Sequence, residues 1–147
     1  MFPNIFPIRA TVAGLQHRDV VKGVWRFQDL VAWQLAVQLR RLADGYCQKP
    51  AIRRDVRFRD QLSDAACSAP RNIAEGFGRK SHRDFAKFAI IARASEQEVL
   101  NHFIAAHEKG YLDATEFDRG DHAVRKAVRV LNGLIAYLES TPDWGRQ

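Results

Sequence analysis

Glu98 and His102 stand four residues apart in a stretch with helical apolar spacing, which puts a carboxylate and an imidazole on one helix face. A metal site in a helical bundle begins from such a pair. It also needs Glu-x-x-His pairs on two helices and further carboxylates. Here Asn101 holds the i+3 position from Glu98, and no second Glu/His pair follows on another predicted helix. No metal and no other cofactor is expected. The chain has no G-x-x-x-x-G-K-[ST], no G-x-S-x-G and no H-E-x-x-H. Gly76-Phe77-Gly78 follows a predicted helix rather than a strand, which excludes a dinucleotide loop. No catalytic residue is assigned, and the chain is read as no enzyme. A metal-binding helical-bundle enzyme is the minor alternative.

A second constellation is polar. Ser68, Asn72, Glu75 and Arg79 step by four, three and four along one predicted helix. Ala65, Ala66, Ala69, Ile73 and Ala74 flank them, so the row lies near a packing seam. Pro70 interrupts the same helix, removes the hydrogen bond to the Ala66 carbonyl and bends the axis there. Glu75 sits towards the negative end of the helix dipole and needs a cation. Arg71 and Arg79 are the local candidates, and an arginine of another subunit is the third. Gln34 and Gln61 are amides on otherwise apolar helices, a pattern that fixes register between helices. Trp33, Gln34, Gln61, Ser68, Asn72, Glu75 and Arg79 are therefore the expected structural and interface residues, with Asn72, Glu75 and Arg79 as a polar lock.

The third constellation is basic. Gln48–Arg93 carries eleven Lys or Arg against five acids, whereas Ala94–Asp118 carries one base against six acids. A chain polarised this way can meet a polyanion with one side, or meet another copy basic side to acidic side. The candidate phosphate contacts are Arg53, Arg54, Arg57, Arg59, Arg79, Lys80 and Arg83, with Arg125, Lys126 and Arg129 on the last helix. Arg79, Lys80 and Arg83 would form a basic rim at one turn. No helix-turn-helix, zinc-finger or RNA-recognition signature is present, so contacts would be phosphate-dominated with weak base preference.

Four helices must position these residues. Val31, Leu35, Leu39, Leu42 and Tyr46 mark the first, with Leu30, Trp33 and Val37 as an adjacent stripe. That doubled face is wider than one bundle core requires and predicts a partner beyond the chain. Gly45 and Pro50 end this helix. Phe58, Leu62, Ala65, Ala69 and Ile73 mark the second, closed by Gly76 and Gly78. The third opens at Ser81-x-x-Asp84, buries Phe85, Phe88, Ala92, Val99, Phe103 and Ala106, and stops at Gly110. The fourth opens at Asp113-x-x-Glu116, buries Val124, Val128, Leu131, Ile135 and Leu138, and is over by Pro142. No period-2 run appears. Short connections predict an all-α, antiparallel up-and-down four-helix bundle over residues 27–140. Residues 1–26, broken by Pro3, Pro7, Gly14 and Gly23, read as an irregular arm that docks on a neighbour, and 141–147 as a C-terminal tail.

The 147 residues are 46% hydrophobic and 27% charged with a net charge of +6, which suits one folded domain. Cys47 and Cys67 form no C-x-x-C pair and read as two reduced thiols. No apolar run approaches the roughly 20 residues of a membrane helix, and no export signal is read, so no membrane partner and a cytoplasmic setting are expected.

One further pattern gathers these residues. Phe27-x-x-Leu30-x-x-Trp33-Gln34 is followed by Gln61, then Ser68-x-x-x-Asn72-Ile73-Ala74-Glu75-Gly76-x-Gly78-Arg79. After it come Ser81-x-x-x-Phe85-x-x-Phe88, Ala92, Glu98 and Gly110-Tyr111-Leu112. It resembles the four-helix bundle proteins encoded by intervening sequences of bacterial 23S rRNA genes, to which the accessory variability proteins of diversity-generating retroelements are related. The resemblance spans about Phe27 to Glu139. The chain departs from it at Pro70 and around Cys67-Ser68-Ala69. The resemblance implies a ring, typically a homopentamer, without catalytic activity, that binds nucleic acid. In the retroelement relatives it also implies a bound reverse transcriptase. The leading expectation is an oligomeric nucleic-acid-binding protein. The alternative is a protein–protein adaptor such as a reverse-transcriptase accessory subunit.

Overall fold

A computed structural model describes residues 24–143, so most of the expected arm and the last four residues lie outside the described part. A 3-10 turn over Phe27–Asp29 leads into α1 (Val31–Cys47), α2 (Pro50–Arg54), α3 (Val56–Phe77), α4 (His82–Glu108) and α5 (Ala114–Ser140). The described residues are all helix and connection, with no strand. α3 packs on α4 and α4 on α5, while α1 lies against α3 and α5.

Local chemistry sets the helix ends. Ser81 Oγ accepts the Asp84 amide at 3.1 Å and starts α4. Asp113 and Glu116 form a full capping box at α5: the Glu116 amide donates to Asp113 Oδ1 at 2.8 Å, and Glu116 Oε2 accepts the Asp113 amide at 2.9 Å. Such caps contribute about 1 kcal/mol each. α4 stops at Gly110, whose φ of +73° lets the chain turn back. The Tyr111 amide reaches the Ala106 carbonyl at 2.8 Å, and the Gly110 amide reaches that of His107 at 3.0 Å, so the end carbonyls are satisfied.

Two expectations change here. Gly45 does not end the first helix, because α1 runs through it to Cys47. Pro50 then starts the extra helix α2 rather than only breaking α1, since a proline at the first helical position loses no hydrogen bond. Asp55 both ends α2 and caps α3, with its Oδ1 accepting the Phe58 amide at 3.3 Å. Gly45 has nothing within 4 Å of where a Cβ would stand. Gly45→Ala should therefore stabilise the fold by about 0.5–1 kcal/mol through helix propensity alone, read by urea unfolding. An unchanged or lower midpoint would mean that the site needs glycine.

The core forms two layers. One joins Leu30, Ala32 and Ala36 to Ala69, Ile73, Phe85, Ala89, Leu131 and Leu138. The other joins Leu39, Ala43 and Tyr46 to Phe58, Leu62, Ala66, Val99, Phe103 and Val124. Burying each large apolar side chain contributes about 1.5–3 kcal/mol. The doubled face of α1 finds its cover inside the chain: Leu30, Leu35, Val37 and Leu39 are all buried. α3 and α5 flank α1 on two sides and cover these four, while Val31 and Trp33 of the same face stay half-buried. The apolar excess lies instead on α4, where Ile90, Ile91 and Ile104 are exposed.

Candidate nucleic-acid interface

The polar row of α3 divides into two parts. Ser68 and Asn72 are half-buried, and Asn72 Nδ2 donates to the Ser68 carbonyl at 2.9 Å and to Ser68 Oγ at 3.1 Å. Ser95 Oγ, from α4, donates to Ser68 Oγ at 2.8 Å. The seam is therefore an α3–α4 contact within one chain. Ser95 was not singled out in the sequence, although its place on the buried side of α4 could have found it. Pro70 is buried inside α3, which continues to Phe77. Glu75 and Arg79 form an ion pair at i,i+4 at the helix end, so the local arginine supplies the cation that Glu75 needs. Arg79 also lies over the Phe88 ring, 4.4 Å from its centroid. Gln34 Nε2 donates to the Gln28 carbonyl at 2.9 Å, and Trp33 meets Phe27 edge to face at 5.3 Å, so both tie the 3-10 turn to α1. Gln61 is exposed and takes no place in the core.

The cations fall into three groups. The first is the corner between α2 and α3. Arg53 and Arg54 occupy the last turn of α2, where the helix dipole favours positive charge, and Arg57 follows in the first turn of α3. The corner is braced from behind. Asp55 Oδ2 accepts the Tyr111 hydroxyl at 2.9 Å and Lys109 Nζ at 3.4 Å. The Tyr111 hydrogen bond, the Phe58 amide and Lys109 hold the Asp55 carboxyl below its usual range. Arg59 is turned aside, with its Nε 3.0 Å from Asp60 Oδ1. Lys49 pairs with Glu116, which that hydrogen bond and the capping amide hold below the usual carboxylate range.

The second group lies at the other end of α3, about 33 Å away for 22 residues at 1.5 Å each. Lys80 and Arg83 are exposed there beside Arg79. Arg83 and Lys87 line an open cleft of about 510 Å³ between the start of α4 and the end of α5, and Glu139 and Asp143 line it too. Asp143 Oδ1 accepts the His82 amide at 2.6 Å. A carboxylate thus already occupies the start of α4, and a phosphate at this end would be held by Lys80 and Arg83 side chains instead. The third group is the α5 stripe. Arg125 pairs with Asp121 at 2.7 Å, while Lys126 and Arg129 are exposed.

The ten predicted contacts therefore make no single patch. Arg53, Arg54, Arg57, Lys80, Arg83, Lys126 and Arg129 take part in none of the salt bridges among the described residues. The acidic window is also weaker than its count. Glu96 is buried in the core, and Asp113 and Glu116 are used in the capping box. Glu98 and His102 do face each other at 3.8 Å, yet among the described residues no group of three or more His, Cys, Asp or Glu could hold a metal ion. No described helix is long and apolar enough to cross a membrane.

A search of curated proteins gives no match. Among protein-family models, that of the 23S rRNA-intervening sequence protein matches residues 28–133, which takes in α1 to α4 and most of α5. The helices, their seam and the matched span agree, and the chain belongs to the 23S rRNA-intervening sequence protein family.

Proposed function

We propose that this protein is a non-catalytic, oligomeric nucleic-acid-binding protein of the cytoplasm that grips RNA or DNA through phosphates with weak sequence preference. The observation that carries this reading is the set of exposed arginines and lysines with no carboxylate partner among the described residues, above all Arg53, Arg54 and Arg57 on their braced corner. Cations already paired at the surface have little charge left to offer, whereas these can exchange water for phosphate and release the counterions of a polyanion. The two core layers, each joining the start of α1 to the end of α3 or the reverse, support an antiparallel up-and-down bundle. In a closed ring, a pentamer by the resemblance noted above, the corner would repeat, so weak contacts multiply.

Fluorescence anisotropy with labelled RNA and labelled DNA at two salt concentrations tests the reading. Binding should weaken with salt at a log–log slope of about −0.9 per phosphate neutralised. R53E/R54E/R57E and K80E/R83E should each lower affinity across unrelated sequences and flatten that slope by about 1 per lost contact. Light scattering should give the mass of several chains. Binding that ignores both reversals, or no binding at low salt, sinks the proposal.

A further inference from the structure

α4 carries an outer face that its own bundle covers only in part. Ile90, Ile91 and Ile104 are 39%, 48% and 41% exposed. With Ala94 they fall within an arc of about 140° at 100° per residue. Between Ile90 and Ile104 the outward positions are completed by Gln97, Glu98 and Asn101, so this stretch of about 21 Å carries one negative charge and no positive one. A solvated helix face of this length is ordinarily laced with charge of both signs. Beyond it the same arc carries Glu108 at one end and Lys87 and Arg83 at the other.

We propose that this face is the docking site of the chain's own first 23 residues. Three observations select that occupant. The segment is rich in large apolar side chains, Phe2, Ile5, Phe6, Ile8, Val12, Leu15, Val20 and Val21, which gain by leaving water. Its cations Arg9, Arg18 and Lys22 outnumber its single acid, Asp19, and complement Glu98 and Glu108. The third observation is where the segment begins. Val24 is half-buried against the core layer at the end of the bundle where α1 and α4 start and α3 and α5 finish, so the chain departs at the end where α4 begins. Twenty-three residues reach about 75 Å when extended, several times the length of the face. Tethering also gives the segment a millimolar effective concentration that a free partner would lack. The segment lies outside residues 28–133 of the family match, so the device is independent of the family's core and of the nucleic-acid reading.

Two measurements on the full-length chain test this. A benzophenone cross-linking amino acid is placed at Phe6 in one variant and at Leu15 in another. After irradiation and trypsin, adducts are expected on the α4 peptides Phe88–Arg93 and Ala94–Lys109, in a band of single-chain mass. Adducts confined to other helices, or found only at two-chain mass, overturn the proposal. In parallel, I90E/I91E/I104E changes exposed positions and should leave the helical circular dichroism intact. It should speed trypsin cleavage at Arg9, Arg18 and Lys22 by about tenfold or more, because cleavage follows the population of the released segment. Equal cleavage rates in the variant and the parent overturn the proposal as well.

Discussion

Replacing Glu96 by leucine is expected to stabilise the protein, and by more at pH 9 than at pH 5. Glu96 is 0% exposed, and neither of its oxygens has a hydrogen-bond partner among the described residues. Burial pushes its carboxyl from 4.5 up to about 8. The folded state therefore keeps a proton that the unfolded chain releases above about pH 4.5. With the folded pKa raised, the stability this proton carries is fully present below the unfolded pKa and is lost as pH rises. Each pH unit across that window costs about 1.4 kcal/mol, and the loss levels off above the folded pKa. Leucine removes both this slope and the penalty of an unsatisfied buried carboxyl, about 1–3 kcal/mol on its own. Asp55, Asp84 and Glu116, whose carboxyls are held low by their hydrogen bonds, lose stability in acid in both proteins and cancel in the difference. Urea unfolding at pH 5, 7 and 9 is the check. A gap between E96L and the parent that does not widen with pH would mean that Glu96 is solvated or paired in the folded state.

The second large effect is expected at Gly76. A Cβ added there would stand 2.5 Å from Phe85 Cδ2 and 2.8 Å from Phe88 Cβ. Phe85 cannot move aside cheaply, since it is 2% exposed and meets Phe77 edge to face at 6.1 Å. Gly76→Ala gains up to about 1 kcal/mol of helix propensity but pushes α3 and α4 apart at a close approach. Overpacking costs typically 1–3 kcal/mol, and here the contact is shared by two aromatic residues, so the net change is destabilising. Gly76→Val should cost more. The shorter ring-free side chain of F85L makes room, so G76A should cost less in that background, a coupling that a double-mutant cycle isolates. A neutral G76A, or equal costs in both backgrounds, would deny the close approach. The same change should loosen Arg79, whose guanidinium rests on Phe88.

The sequence by itself determined the helices and their punctuation. Ser81, Asp113-x-x-Glu116 and Gly110 act through hydrogen bonds a few residues away, and the spacing of Phe85, Ala92, Val99 and Phe103 needs no distant partner to be read. The Ser68–Asn72 pair was legible for the same reason, since Asn72 reaches one turn back along its own helix. Glu96 was legible in part: it stands in register with Ala92, Val99 and Phe103, yet counts as one more acid in an acidic stretch until burial is known. The short helix α2 was hidden because five residues are too few to show a period.

What only the tertiary structure decided is which surfaces meet. The sequence offers α1 with two adjacent apolar stripes and α4 with one. Packing against α3 and α5 covers α1 from two sides, while Ile90, Ile91 and Ile104 on the outer arc of α4 stay partly exposed. The same holds for charge. Arg57 and Arg79 are both arginines of α3, but a helix of 22 residues sends them to opposite ends, and a carboxylate within reach neutralises one and not the other. Spacing along a chain fixes contacts over one or two helical turns, whereas burial and pairing depend on groups dozens of residues away, brought close only when the bundle closes.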